Sequence, residues 1–480
     1  MFRTIAAIAA LALTASPGGA EAQDTYTADE ARAELSALYE GLRSAHYDLF
    51  ESTPEAVYNR RYEALLESFD QTVTADELFV ELQRFVALAG HGHARLEGIN
   101  PAWAAFAESG LVFPLTLTIH HGEVIVEAAP EGSPVRPGDR IVAFDGAPNP
   151  IWLERLTRNI SAETPQLAYT LLGGRLPLHV WREYGAPEVF NLTIERGGRR
   201  DDVTVEAVSL DVWRNTIAPD PGFTLDGRES VLIEPGVAYL RPGPFYDTEA
   251  ATPEAAYAPE ALSRYTAFID ESFDGFIAAD AHTLVLDLRD NPGGDVSFSD
   301  PVVAWFADQP FSFVSEFRVR VSPETTASNQ RRINALPDGE AGISGEYAAL
   351  FAASENGDVV PFDIPLTQPR DGRRFEGQVL VLINRHSYSN AVTTAALIQD
   401  YSFGTLIGEP TLDMATAFGA MERFTLPNTS WTVGYPKGHI VRASGREDLH
   451  ALTPDITLDL PAVRGALDIA LEAALARARR

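Results

Sequence analysis

The chain has 480 residues, of which 45% are hydrophobic, and its formal net charge is −31. This length predicts roughly two to four domains with their own cores, and the acidity argues against nucleic acid or an anionic membrane as the main partner. The sequence contains no cysteine, which excludes disulfides, thiolate catalysis and zinc–cysteine sites.

Residues 1–22 have the pattern of a secretory signal peptide. Arg3 is followed by an apolar run from Ile5 to Leu13, and Ala20-Glu21-Ala22 provides small residues for cleavage. The apolar run is much shorter than the roughly 20 residues of a spanning helix. We therefore expect export across the inner membrane to the periplasm, without an integral membrane segment.

Residues 23–100 are predicted to form a helical module. Apolar residues follow a helical spacing between Thr27 and Ser44, a second helix is expected over Glu55–Phe69, and Thr74 to Glu77 has the capping-box pattern of a third. The module ends at His91-Gly92-His93.

Short alternating strands are predicted between residues 111 and 210, for example over 115–119, 123–127 and 190–194. Within this part, GSPVRPGDRIVAFDG (132–146) resembles the segment of a PDZ domain that leads into a strand and a tight Asp-Gly turn. The resemblance implies a module that binds peptide tails by adding them to a sheet edge. A β-rich spacer is the alternative.

From residue 228 to 475, strands such as 284–288 and 378–383 alternate with helices such as 259–276 and 391–400, which predicts an α/β core. Residues 324–361 are rich in Ala, Gly, Ser and charge and contain few strand signals. We expect them to form a surface insertion or lid.

One segment of this core, VLINRHSYSNAVTTAA (381–396), joins a buried-type strand to an apolar helix through a short polar turn. Ser389 stands where the helix begins, so its hydroxyl would face the positive end of the helix dipole. It is therefore a candidate nucleophile. Ser387 is a local rival, and a plain capping role for either serine is the competing interpretation.

A second segment, LVLDLRDNPGGD (284–295), ends a strand in two consecutive glycines. Acyl transfer needs hydrogen-bond donors aimed at the oxygen that becomes negative. Amides of Gly293 or Gly294, together with that of Asn390, are the candidate oxyanion hole. Asp287 and Arg289 in the same segment are interpreted as scaffold that braces the loop.

These two segments resemble the tail-specific (C-terminal processing) serine proteases and their tricorn-core relatives. GVAYLRPGPF (236–245) and LTPDITLDL (452–460) agree with the resemblance, which covers roughly residues 75 to 460. It implies a crotonase/ClpP-like α/β core, peptides or unfolded protein tails as substrates, no cofactor, and a capacity to form homo-oligomers.

The resemblance also suggests which residues complete the site. Tail-specific proteases carry a lysine base about 25 residues after the serine, where this chain has Met414, so the Ser/Lys mechanism is not expected. In tricorn-like relatives a histidine takes that role, and it matches His93, although Gly92 replaces a serine and His91 an aspartate. Their orienting carboxylate, six residues before the proline of a PD motif, matches Asp448, with Glu447 as its rival.

Three alternatives stay open. The first concerns His91 and His93, which are spaced to bind a metal together or have a plain structural role at the end of a helix; the sequence shows no second cluster of ligands, so no metal is expected. The second alternative is that the chain is a catalytically inactive homologue that binds peptides or an apolar ligand. The same relay also suits an esterase.

Overall fold

The computed structural model describes residues 24–98, 100–120, 122–217, 227–252, 255–334 and 341–479. The proposed signal segment, residues 1–22, lies outside these ranges. Among the helices described, none is long and apolar enough to span a bilayer.

The first part of the chain is helical, as expected. Its elements are β1 (Thr25–Tyr26), α1 (Ala28–Ala45), α2 (Glu55–Ser68), β2 (Val73–Thr74), α3 (Ala75–Ala87), β3 (Arg95–Glu97) and α4 (Pro101–Ala107). Helices α1 and α3 each begin with a complete capping box, formed by Thr27 with Glu30 and by Thr74 with Glu77. The predicted helix start at Thr74 is therefore confirmed.

The middle part is an antiparallel sheet with three helices packed on it. Its elements are β4 (Leu111–Val112), β5 (Thr116–His120), β6 (Glu123–Ala128), β7 (Arg140–Phe144), β8 (Ala147–Pro148), α5 (Asn149–Thr157), α6 (Pro165–Gly173), α7 (Leu176–Tyr184), β9 (Val189–Arg196), β10 (Arg199–Glu206), β11 (Val208–Ser209), α8 (Leu210–Val212) and a π-helical turn (Trp213–Ile217). The sheet order is β10-β9-β7-β6-β5, with β8 paired to β7. The aromatic side chains of Phe144, Trp152 and Phe190 fill its core.

The last part is the α/β core. Its elements are β12 (Glu229–Glu234), β13 (Val237–Arg241), a 3-10 turn (Ala255–Tyr257), α9 (Pro259–Ala278), β14 (Thr283–Asp287), α10 (Val296–Ala304), β15 (Val314–Arg320), α11 (Pro323–Asn334), α12 (Gly342–Ala352), β16 (Val359–Pro361), β17 (Gln378–Ile383), α13 (Asn390–Asp400), β18 (Thr405–Gly408), β19 (Ala417–Thr425), β20 (Thr432–Arg442), β21 (Ile456–Thr457) and α14 (Ile469–Ala478).

The core sheet has the order β12-β13-β14-β17-β18-β21, and every pairing except that of β12 is parallel. Helices α9, α10 and α13 cover one face and α14 the other. All five residues of β14 are buried, which explains its unbroken apolar run. Because β14 and β17 are parallel neighbours, the loops that follow them meet at the same edge of the sheet.

A second sheet, β16-β15-β20-β19, connects the core with the helical module. Strand β3 pairs with β20, and Arg95 lies opposite Gly434. The core of the helical module also includes Leu426, Val433 and Tyr435 from the last part of the chain. The residues just before β3, which include His93, are thereby fixed against the α/β core.

The segment expected to form a surface insertion contains more regular structure than its composition suggested. Helices α11 and α12 occupy it, and β16 adds an edge strand to β15. Helix α11 buries small polar residues, Thr325, Ser328 and Asn329, and Ser328 donates a hydrogen bond to Glu422 over 2.7 Å. The sequence of such a helix has no apolar stripe, because hydrogen bonds stabilise its buried face.

Candidate active site

The turn after β17 presents Ser389 in a backbone conformation that L-residues rarely adopt. Its φ is 52° and its ψ is −125°, and its side chain makes no capping hydrogen bond to α13. A strained strand-to-helix turn of this kind exposes a nucleophile in many hydrolases. The neighbouring Ser387 is buried and donates to the carbonyl of Leu288 over 2.8 Å, so its hydroxyl holds the turn together.

His93 reaches this serine from the end of the helical module. Its Nε2 lies 3.3 Å from Ser389 Oγ, and its ring stacks on Tyr388 with centroids 5.6 Å apart. Burial lowers the pKa of His93 to about 4, and the positive charge of Arg95 acts in the same direction. The ring is therefore neutral at neutral pH, with a lone pair available to accept the serine proton.

The predicted orienting carboxylates lie elsewhere. Asp448 accepts two hydrogen bonds from Arg446, at 3.1 and 3.0 Å, and lies 3.4 Å from His450. Glu447 is exposed and acts electrostatically on His439. Neither contacts His93, whose buried Nδ1 has no carboxylate partner among the described residues; the backbone of Phe418 interacts with the ring and acts to raise its pKa. The spacing to the PD motif specifies only a position in the sequence. The segment after β20, which carries Glu447 and Asp448, runs along the protein surface, and neither side chain reaches His93.

The loop after β14 that contains Gly293 and Gly294, here called the glycine loop, packs directly on the turn that presents Ser389, here called the nucleophile turn. A Cβ atom on Gly293 would lie 2.6 Å from the amide nitrogen of Asn390 and 2.8 Å from Ser389 Cβ. The amide of Gly293 donates to Asn291 Oδ1 over 2.9 Å, so it is already occupied. The amides of Gly294 and Asn390 have no acceptor within the described part of the chain, which makes them the available pair of donors.

Two carboxyl groups that the sequence did not single out hold the backbone of the site. Asp413 accepts the amide hydrogen of Ser389 over 2.5 Å, and Glu163, from the middle part of the chain, accepts that of Gly92 at 3.1 and 3.2 Å. Burial raises the pKa of both, and the charge of Asp413 raises that of Glu163 further. Asp413 adjoins Met414, so the sequence did contain one sign of its role, a carboxylate next to the position where tail-specific proteases carry a lysine. No feature of the sequence around Glu163 indicates that it reaches the site.

The scaffold interpretation of Asp287 agrees with its contacts. Its carboxylate receives hydrogen bonds from Tyr239 over 2.7 Å and from Arg289 at 2.9 and 2.6 Å.

In the nucleophile turn, Arg385 forms an ion pair of 2.6 Å with Glu409 and also contacts His120 at the end of β5. The middle sheet is thereby attached to the turn that carries Ser389.

His91 is buried in a separate polar cluster. Its ring nitrogens lie 3.2 Å from His46 Nε2 and 3.3 Å from Glu51 Oε2. Its amide donates to the hydroxyl of Ser161 over 2.9 Å. In the described ranges no group of three or more His, Cys, Asp or Glu residues is arranged to hold a metal ion.

Comparison with known proteins places this geometry in context. The sequence model of peptidase family S41 matches residues 259–458. A search of curated proteins finds no match. Among solved structures, mature CPAF complexed with lactacystin is 16% identical, with a TM-score of 0.62 over 94% of this chain and 97% of that one.

A CPAF mutant with serine changed to alanine is 18% identical, with a TM-score of 0.62 over 94% of this chain and 96% of that one. At such identities the likeness shows that the fold is shared across nearly the whole length. The family match lies within the α/β core. This match to the sequence model of peptidase family S41 covers residues 259–458 and supports a serine-type peptidase.

Proposed function

We propose that the chain is an exported serine endopeptidase in which His93 activates Ser389 for attack on peptides or unfolded protein tails. The observation that carries the proposal is the 3.3 Å contact between His93 Nε2 and Ser389 Oγ, made by a serine in a strained turn. Export rests on the pattern of residues 1–22.

The reaction follows from the groups around Ser389. Neutral His93 accepts the hydroxyl proton as Ser389 Oγ attacks the substrate carbonyl, and the amides of Gly294 and Asn390 stabilise the oxygen that becomes negative. The imidazolium then returns the proton to the leaving amine. Water repeats the sequence on the acyl-enzyme, and the carboxylic acid is released.

The test is labelling by a fluorophosphonate probe together with hydrolysis of a denatured protein. We expect Ser389→Ala and His93→Ala to abolish labelling and to lower hydrolysis by at least about 10³-fold. Ser387→Ala separates the two serines of the turn, because it should keep the labelling, although its stability will fall. Equal hydrolysis by wild type and Ser389→Ala would refute the assignment of the nucleophile.

A second candidate is a peptide-binding homologue with little catalytic activity. The observation that favours it is the buried Nδ1 of His93, which lacks the carboxylate partner of a complete triad in the described residues. Peptide binding that persists in Ser389→Ala, without cleavage by the wild-type protein, would support this alternative. Hydrolysis of short acyl esters, but of no peptide, would instead indicate an esterase.

A further inference from the structure

Two arginines face each other on the sheet beside His93. Arg95 in β3 and Arg423 in β19 both lie opposite Gly434 of the intervening strand β20. Because Gly434 has no side chain, the two guanidinium groups share one carboxylate across it. Arg423 Nε donates to Glu97 over 2.6 Å, and a terminal nitrogen of Arg95 lies 3.3 Å from the same group.

A third arginine approaches from the middle part of the chain. Arg175 stands immediately before α7, and its side chain is exposed. Its backbone amide donates to Leu172, whereas its side chain forms no hydrogen bond or ion pair with any residue that the structure describes. It nevertheless lies within electrostatic reach of Arg95 and Glu97, which act on it in opposite directions. Its guanidinium therefore has all of its donors free.

The charges in this cluster do not balance. Two guanidinium groups share one carboxylate, that of Glu97, whose side chain is 5% exposed, and the third guanidinium acts on it electrostatically. The side chains of Arg95 and Arg423 are 30% and 39% exposed, so donors that Glu97 leaves unused reach solvent. Such a positive excess is unexpected in a chain with a net charge of −31.

Other acidic groups nearby are already engaged. Glu422, next to Arg423, pairs with Lys437 and with Arg332. Asp413 and Glu163 accept the backbone amide hydrogens of Ser389 and Gly92. None of these carboxyl groups makes a hydrogen bond to the three arginines, so the excess positive charge is available to a ligand.

The cluster is also close to the reacting bond. Arg95 follows His93 by two residues, which is about 7 Å along an extended chain. Its charge acts on both the His93 ring and Tyr388, the residue before Ser389. A group bound by these arginines would belong to a substrate residue within about two positions of the bond that is cut.

We propose that Arg95, Arg175 and Arg423 form a subsite for a substrate carboxylate, either an Asp or Glu side chain or the terminal carboxylate of the peptide. Guanidinium groups suit this ligand because their paired N–H donors match both carboxylate oxygens. The inference deepens the proposed peptidase function and depends on it.

The experiment begins with a proteome-derived peptide library, digested by the wild-type protein and by Ser389→Ala to identify true cleavages. A well-cleaved peptide is then made in four forms, with Glu or Gln at the acidic position and with a free or an amidated C-terminus. We expect loss of the recognised carboxylate to lower kcat/KM by about 10- to 100-fold. The Gln forms report a side chain, and the amidated forms report the terminal carboxylate.

Arg175→Gln should remove most of this discrimination, and Arg175→Glu should shift preference toward a Lys-containing peptide. Arg199→Gln is the matched control, because Arg199 is 79% exposed in the outer strand β10, and it should behave as wild type. Cleavage that depends on Ser389 but shows no acidic preference, or a preference unchanged in Arg175→Gln, would overturn the subsite. No Ser389-dependent cleavage at all would overturn the peptidase and the subsite together.

Discussion

Gly92 separates the two histidines of the motif, and Tyr388 requires it to lack a side chain. A Cβ atom at this position would lie 2.6 Å from Tyr388 Oη and 3.4 Å from Glu163 Oε2. A serine side chain at this position would therefore press against Tyr388. This chain instead supports the histidine segment through Glu163, which accepts the Gly92 amide.

The carboxyl group of Glu163 should make stability depend on pH. Burial and the charge of Asp413 raise its pKa from 4.5 to about 8 in the folded protein. Between these values the unfolded chain releases the proton and the folded chain keeps it, so the wild type loses stability as pH rises. Gln at position 163 does not titrate and keeps an oxygen for Gly92.

We therefore expect the free energy of unfolding of Glu163→Gln to increase relative to wild type from about pH 5 to pH 8. Denaturant titrations at several pH values would measure this difference. A difference that stays constant across that range would show that Glu163 is ionised in the folded protein.

At the scale of elements, the contact between the glycine loop and α13 sets the geometry of the site. Gly293 has a φ of +85°, and a Cβ atom there would lie within 2.8 Å of atoms of Tyr388, Ser389 and Asn390. Gly293→Ala should displace the nucleophile turn and lower kcat/KM by at least about 10²-fold. Peptide hydrolysis and fluorophosphonate labelling would both report the loss.

Gly146→Ala is the control for this substitution. Gly146 also has a positive φ, +76°, but a Cβ there meets nothing within 4 Å. It should lose about 1 kcal/mol of stability to backbone strain and keep its activity. If both variants keep full activity, the packing of Gly293 does not determine the position of Ser389.

Local patterns in the sequence predict individual elements better than the contacts between them. The capping boxes at Thr27 and Thr74 set helix starts through bonds within four residues, so the sequence carries them fully. Helix α11 buries hydrogen-bonded polar residues, which leave no apolar stripe to read. The separation of Asp448 from His93 and the approach of Glu163 depend on how distant segments pack, and no local pattern encodes either.

For the whole molecule, the helical module and the last part of the chain should unfold as one unit, because they share a core. Leu35 in α1 is fully buried in the cluster that includes Val433 and Tyr435. Leu35→Ala should lower the free energy of unfolding by about 2–5 kcal/mol. Denaturant unfolding followed by tryptophan fluorescence and circular dichroism would measure the change.

Leu467→Ala is the matched control, since Leu467 is 64% exposed, and it should change stability by less than about 0.5 kcal/mol. A Leu35→Ala protein in which the helices unfold separately, while the serine still reacts with the probe, would show that the shared core does not couple the two parts.

The strained backbone conformation of Ser389 affects the balance between the stability of the protein and its activity. A residue held in that conformation costs on the order of 1–3 kcal/mol, and only glycine adopts it freely. Selection for melting temperature alone would therefore favour glycine at position 389. We expect Ser389→Gly to melt at a higher temperature than Ser389→Ala, which would mark the proposed nucleophile as a position where the fold gives up stability for chemistry.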